Sequence, residues 1–252
     1  PEGPVYTGDY ADLQPEFDGT VSVVTWNIKF GIEIEEAIKE WGDSTEVKLA
    51  DIVLLQEMDK DGVEFMAKEL GYNYVYYPAS IHDRHNLTFG NAVLSKWPIL
   101  DYAKIVLPYQ SPSNDQRRIA VRAAIQMGED EMLAYSVHTE TVVLGAKKRA
   151  EQFDALIQDI NEQPQEYVVV GGDFNTYSQK ASDNLESKMA AAGLEHVSPD
   201  NGPTFRWIGG LGFTLDHLFV KNFTTLESGV WHDTEASDHV PVWAVLTPNP
   251  SP

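Results

Sequence analysis

The sequence predicts an α+β fold: a four-layer α/β sandwich in which two mixed β-sheets pack face to face with helices outside. Three observations predict it. Short apolar runs rich in β-branched residues recur along the chain, amphipathic stretches are interspersed among them, and no linker, repeat or low-complexity segment divides the 252 residues. The reading is therefore a single domain over 1–252, with 1–20 and 247–252 as loop-like terminal extensions.

In chain order, the first strand is expected at 21–26 and the first helix at 33–41. A strand at 52–56 precedes a helix at 62–70. Strands then follow at 72–77, 91–95, 103–107, 120–126 and 132–137, each a short run of apolar and β-branched residues. The clearest helix is 146–161, where Ala150, Phe153, Leu156 and Ile157 share one stripe. A strand at 167–170, a helix at 181–192, and strands at 214–220 and 240–246 complete the series.

Composition narrows the chemistry. Hydrophobic residues make up 42% of the chain, enough for a substantial core, so global disorder is excluded. No apolar run reaches the roughly 18–20 residues needed to span a bilayer. The absence of cysteine excludes disulfides, thiolate zinc sites and a cysteine nucleophile. The sequence opens PEGPVYTGDY with no starting Met, which reads as a trimmed chain or a mature form whose leader is gone. An extracytoplasmic or secreted home is favoured over a cytoplasmic one, and a monomer is expected. With 39 acidic and 18 basic residues, a net charge of −21 disfavours polyanion tracking, which relies on Lys and Arg neutralising phosphates.

Several strand-like runs end abruptly in an acid, amide or imidazole. They are VSVVTWNIKFG (Asn27), DIVLLQEMD (Glu57), MLAYSVHTE (His138), YVVVGGDFN (Asp173, Asn175), FTLDHLFV (Asp216) and EASDHVPV (Asp238, His239). Strand ends let a rigid sheet hold polar groups at the surface. Singly, each has an ordinary explanation as a turn former or a hydrogen-bonded residue; together they supply a functional set. Glu57, Asp173 and Asp238 offer hard anionic oxygens, and Asn27 and Asn175 offer amide oxygens and N–H donors. That chemistry suits Mg²⁺ or Mn²⁺, with no soft ligand for zinc or copper. His138 and His239 add groups that donate hydrogen bonds or charge near neutral pH. The combination fits hydrolysis of a phosphoester. Neither GxxxxGK[ST] nor GxSxG is present, so a P-loop NTPase and an α/β-hydrolase are disfavoured.

The order TWN, LQE, GNAVLS, a strand-end His, GDFN, an LDH-type strand and terminal SDH resembles the endonuclease/exonuclease/phosphatase superfamily. The resemblance runs from about Val21 to Leu246. That group includes deoxyribonucleases, abasic-site endonucleases, sphingomyelinases, inositol-polyphosphate phosphatases, deadenylases and tyrosyl-DNA phosphodiesterases. The resemblance implies that Glu57 is the principal Mg²⁺ ligand, with Asn27 beside it and Asp238 as a second metal-side carboxylate; Mn²⁺ is a substitute. It implies that Asp173 orients or deprotonates the attacking water and that Asn175 holds that water or the phosphate. His239 contacts the scissile phosphate and is oriented by Asp216. His138 stabilises the pentavalent phosphate or protonates the leaving oxygen.

Other features carry two readings each. Asn91 either reaches the phosphate or is a turn or edge residue. Arg117 and Arg118 either contact substrate or balance acidic neighbours. Phe205, Trp207 and Phe213 either form an aromatic wall beside the phosphate or pack in the core. The polar segment from His82 to Gly90 lines the cleft or merely connects. Lys147, Lys148 and Arg149 read as the solvated face of the long helix. The expected activity is that of a phosphoric ester hydrolase acting on a small-molecule or lipid-like phosphodiester. A Mg²⁺-dependent nuclease is the alternative, so nucleic acid is a permitted but disfavoured partner. A catalytically inactive binding module is the third reading, and the completeness of the acid–amide–imidazole set argues against it.

Overall fold

The computed structural model describes residues 3–12, 14–81, 86–197, 202–206 and 212–250. Among them, one sheet has the strand order β1 (Tyr6–Gly8), β4 (Asn73–Ile81), β5 (Thr88–Ser95), β3 (Ile52–Met58), β2 (Val21–Asn27), β15 (Val242–Pro248), β14 (Phe223–Val230). The second has the order β10 (Glu195–His196), β13 (Asp216–Lys221), β9 (Tyr167–Asp173), β8 (Asp130–His138), β7 (Arg117–Met127), β6 (Ile99–Gln110). A short ribbon pairs β11 (Phe205–Arg206) with β12 (Gly212–Phe213). Both large sheets are mixed, with β2–β3 and β8–β9 running parallel. Helices α1 (Ile34–Asp43) and α2 (Lys60–Leu70) cover the outer face of the first sheet. Helices α3 (Ala146–Glu162) and α4 (Gln179–Ala191) cover that of the second. No helix among the described residues is long and apolar enough to cross a membrane.

Period-two alternation distributes the apolar side chains among three layers of core. Val21, Val23, Ile52 and Leu54 face inward, against Val121, Ala123, Ala134 and Val169 of the opposite sheet. Their neighbours Val24, Trp26, Val53 and Leu55 face outward onto Trp41, Val63 and Met66 of the helices. In the second sheet Leu133, Tyr135, Val168 and Val170 pack on Phe153, Leu156, Leu185 and Met189. Strands buried on both faces read as continuous apolar runs, which is why they were legible. Each fully buried Val, Leu or Ile contributes about 1.5–3 kcal/mol.

Parallel pairing brings the functional strand ends to one side. His138 stands opposite Asp173 in the β8–β9 ladder, and Asp216 stands opposite Asp173 in the β9–β13 ladder. In the other sheet Asn27 stands opposite Gln56, one residue before Glu57. The sheets are stitched beneath this end by buried polar groups: Gln56 Nε2 donates to Ser136 Oγ at 3.0 Å, and Ser136 Oγ donates to the Leu55 carbonyl at 2.7 Å. The glycines before Asp173 lie within β9 and do not form a turn. A Cβ on Gly171 would sit 2.7 Å from Leu54 Cδ1 of the facing sheet, and one on Gly172 would sit 1.9 Å from the Val137 carbonyl oxygen. Only glycine lets the backbone that carries Asp173 approach this closely.

The terminal segments depart from the sequence expectation. Residues 1–20 are not merely loop: β1 pairs with β4, Trp97 Nε1 donates to the Pro15 carbonyl at 2.9 Å, and Phe17 packs edge-on to Trp97. At the other end β15 runs on through Thr247 and Pro248. The sequence reading also missed β14, an edge strand whose residues 224–227 are exposed.

Candidate active site

The strand ends surround a cavity of ≈ 220 Å³ lined by Glu57, His138, Asp173, Asn175, Asp238 and His239, with Arg118, Lys29, Tyr177 and Phe205 closing it. Asp173 is its hub. Its Oδ1 accepts from the Asn175 backbone N–H at 2.9 Å and its Oδ2 from Asn27 Nδ2 at 3.1 Å. The same Oδ2 lies 3.5 Å from His138 Nε2 and 3.9 Å from His239 Nε2, so the carboxylate stands between two imidazoles. Asn175 Nδ2 donates to the Thr139 carbonyl at 3.0 Å. Glu57 and Asn175 both adopt left-handed backbone, with φ of 58° and 52°. For Glu57 this is a strained conformation costing about 1–3 kcal/mol, a feature that clusters at functional sites.

Each imidazole has a fixed partner. His239 Nδ1 lies 2.8 Å from Asp216 Oδ2, which also accepts from Thr204 Oγ1 at 2.6 Å. Thr204 Oγ1 in turn accepts from the Leu215 and Asp216 N–H groups at 3.0 Å each. This arrangement fixes His239 with its proton on Nδ1 and Nε2 toward the cavity. Arg118 Nη1 approaches both ring nitrogens of His138 at 3.2 Å, and the guanidinium lies over the Phe89 ring. The loop carrying Asp238 and His239 is clamped from three directions. Ser237 Oγ donates to the Asn27 carbonyl, Trp26 Nε1 donates to the His239 carbonyl, and Glu40 of α1 accepts from Thr234 Oγ1 and the Glu235 N–H.

Burial and charge push the two imidazoles apart. For His239, burial opposes protonation, but Asp216, Asp173 and Glu57 outweigh it and push the ring up to about 10. His239 is therefore an imidazolium at neutral pH. For His138, burial and the cations Arg118 and His239 all act the same way and hold it well below the usual value, so it is neutral. Asp173 is raised by burial, with His239 opposing and Asp216 and Glu57 adding to the rise. Glu57 is raised by burial against the pull of Arg118 and His239. Titratable groups with opposed environments in one cleft are the mark of acid–base chemistry. Asp216→Asn removes the charge that holds His239 protonated. It should move the alkaline fall of a pH–activity profile to lower pH by about one to three units. An unmoved profile would remove Asp216 from that role.

Residues 24–239 match the family model described as "Endonuclease/Exonuclease/phosphatase family". The chain belongs to the endonuclease/exonuclease/phosphatase family. Among curated relatives, a UPF0294 protein of Vibrio cholerae is 33% identical over 114 residues, covering 44% of this chain and 38% of that protein. The chain thus matches well under half the length of that relative. The Escherichia coli K12 protein YbhP is 28% identical over 254 residues, covering 83% of this chain and 88% of its own. Among solved structures, an endonuclease/exonuclease/phosphatase from Beutenbergia cavernae superposes with a TM-score of 0.74 at 18% identity, covering 92% of this chain and 72% of that one. A mannosyl-6-phosphatase from Bacteroides thetaiotaomicron gives 0.68 at 18% identity, covering 90% and 99%. These likenesses are of fold.

The residues singled out by sequence divide clearly within this family frame. Asn27, Glu57, His138, Asp173, Asn175, Asp238 and His239 meet at one cleft, with Asp216 buried directly behind His239. Asn91 does not reach it: its Nδ2 is spent on the Ile119 and Ser136 carbonyls of the opposite sheet, where it ties the two layers together. Arg117 also turns away, toward a separate cavity beside Lys104 and Pro78, because adjacent residues on a strand face opposite sides. Arg118 alone of the pair faces the cleft. Trp207 and residues 208–211 lie outside the described residues, as do residues 82–85. Of the aromatic segment, Phe205 lines the cleft, 4.7 Å from the His239 ring, and Tyr177 packs on Phe205 and Phe213. Sequence reasoning missed Thr204, Tyr177, Lys29 and Glu40, none of which carries a local motif.

The donor set fits a hard divalent cation. Glu57 is a largely buried carboxylate whose charge is disfavoured by desolvation; Asn27 and Asp238 bring further oxygens to it, and His138 Nε2 lies 3.8 Å away. Among the described residues no three His, Asp or Glu side chains enclose an ion. Asp238 Oδ2 lies 3.5 Å from Lys29 Nζ, so this carboxylate already has a cationic neighbour.

Proposed function

We propose that the chain is a Mg²⁺- or Mn²⁺-dependent phosphoester hydrolase acting on a small-molecule or lipid-like phosphodiester. Members of the family are hydrolases of phosphoesters. The observation that carries the reading is the Asp173 carboxylate held between an imidazolium, His239, and a neutral imidazole, His138. Asp173 accepts the proton of the attacking water, which Asn175 helps to position. His239 presents Nε2–H to a nonbridging phosphoryl oxygen, while Asp216 keeps the ring charged and oriented. Neutral His138 donates a hydrogen bond toward the leaving oxygen, which takes up a proton from solvent as Asp173 returns its own, and Arg118 beside it supplies fixed positive charge. Glu57, Asn27 Oδ1 and Asp238 would hold the metal, which would act as a Lewis acid offsetting the charge that develops in the transition state.

Two features favour a small substrate over nucleic acid. The chain carries 39 acidic residues against 18 basic ones, and among the described residues only Lys29, Arg118 and the His239 imidazolium bring cations to the cleft. A strand-tracking nuclease needs several such groups along its groove. Phe205 instead gives the cleft an apolar wall. A mannosyl-6-phosphatase is built on the same sandwich, so the fold is compatible with a sugar phosphate.

The protein stripped with EDTA should be inactive on bis-p-nitrophenyl phosphate, and Mg²⁺ or Mn²⁺ should restore it. Rescue by zinc alone would contradict the oxygen donor set. On a panel of plasmid DNA, sphingomyelin, inositol phosphates and sugar phosphates, kcat/KM should be highest for a small or lipid substrate. A higher value for DNA than for every small substrate would replace this reading with a nuclease.

A further inference from the structure

The start of α3 combines features that a helix selected for stability alone avoids. Its N-cap is Gly145, which gives no side-chain cap, and its first turn holds no acidic residue. That turn carries Lys147, Lys148 and Arg149, three cations at the positive end of a 17-residue helix. Each is unfavourable there, and a chain of net charge −21 has acidic residues to spare for the position. The sequence reading of a solvated face holds for the two lysines only. Arg149 is 6% exposed, and its Nη1 is buried without a hydrogen-bond partner among the described residues. The carboxylate that acts on it is that of Glu140, whose Oε2 lies 3.5 Å from Arg118 Nε in an ion pair. A buried guanidinium left this way costs free energy that a bound anion would recover.

Arg149 lines a cavity of ≈ 350 Å³ between the starts of α3 and α4. Lys147 and Lys180 also line it, no carboxylate does among the described residues, and Ala150 and Phe153 give it an apolar floor. The volume is that of a small-ligand pocket. It is separate from the catalytic cleft yet shares a wall with it: along one loop Asn175 and Tyr177 line the cleft, while Thr176 and Ser178 line this cavity.

We propose that this cavity is a second anion site, which binds the phosphate or sulfate group of a small organic ligand through Arg149, Lys147, Lys180 and the uncapped start of α3. The ligand's apolar part lies against Ala150 and Phe153. The group belongs either to the substrate itself, as a second phosphate beyond the scissile one, or to a separate phosphorylated small molecule. The site does not require the proposed catalytic activity; only the first of these two sources rests on it.

Inorganic sulfate is the probe, because it is not hydrolysed. Titrated into ¹⁵N-labelled protein, it should produce saturable shifts at the amides of Ala146, Lys147 and Ala181. The double variant Lys147→Glu/Lys180→Glu changes two exposed side chains. It should keep its melting temperature and its activity on bis-p-nitrophenyl phosphate, which has one phosphate, while binding sulfate about tenfold more weakly or worse. Arg149→Gln should weaken sulfate similarly; if it does not fold, the double variant decides. Shifts confined to His138, Asp173 and His239, or sulfate affinity unchanged in the double variant, would overturn the site. A rise in KM limited to substrates with a second phosphate would assign the site to the substrate. Unchanged KM with sulfate binding lost would assign it to a separate ligand. Loss of all hydrolytic activity in the unmodified protein would defeat the proposed function and leave the sulfate result standing.

Discussion

Asp173→Asn should lower turnover by about 10²–10⁴-fold and at the same time leave the metal-free protein as stable as before, or more so. The loss of activity follows from removing the group placed to accept a proton from water. The stability result follows from electrostatics. Burial, together with Asp216 and Glu57, raises the Asp173 carboxyl above its ordinary value of 3.8, against the attraction of His239. A group whose folded value lies above its unfolded value destabilises the fold as pH climbs through that window, since the unfolded chain gives up the proton first. Asparagine reproduces the neutral form, and its Oδ1 still accepts from the Asn175 N–H, while its Nδ2 replaces the oxygen that accepts from Asn27 and so offsets part of the gain. The gain should therefore appear at neutral pH and vanish below about pH 4, where both forms are neutral. Denaturant unfolding in EDTA at pH 3.5 and pH 8 would measure it. A variant that is inactive because it is unfolded, or one that retains turnover, would remove Asp173 from the proposed role.

How far the site was legible depends on what each residue's neighbours are. Asn27, His138 and Asp173 end strands buried on both faces and Glu57 is the last residue but one of such a strand, so long apolar runs in the sequence point to them. Edge strand β14 has no such run. Thr224, Thr225, Leu226 and Glu227 are exposed, and the strand is held chiefly by its backbone ladder to β15, which leaves no side-chain signature. Asn91 and Arg117 show the limit from the other side. The composition of a strand does not say which of two adjacent residues faces the cleft, nor whether a buried amide is spent on the opposite sheet. Thr204 anchors Asp216 across a loop, and Glu40 caps the Asp238 loop from almost two hundred residues away. Neither role has a local pattern; only the fold creates it.

Glu57→Gln should abolish the response to Mg²⁺ while preserving the fold. Glutamine matches glutamate in size and adopts the left-handed backbone at position 57 no less readily, so the geometry survives and only the charge is lost. That charge is disfavoured when metal is absent, because burial raises the carboxyl and Arg118 and His239 only partly compensate. In EDTA the variant should therefore melt at or above the temperature of the unmodified protein. Added Mg²⁺ should then separate the two. At a hundredfold excess over its dissociation constant, a ligand that binds only the folded state stabilises by about 2.7 kcal/mol, and that rise should be seen with Glu57 and missing with Gln. Turnover should fall on the order of 10³-fold, the equivalent of several kcal/mol of transition-state stabilisation. Melting curves across a Mg²⁺ series distinguish this from loss of a merely structural carboxylate. A structural Glu57 would leave the variant less stable in EDTA with its Mg²⁺ response intact, and Asp238 would then have to be the principal ligand.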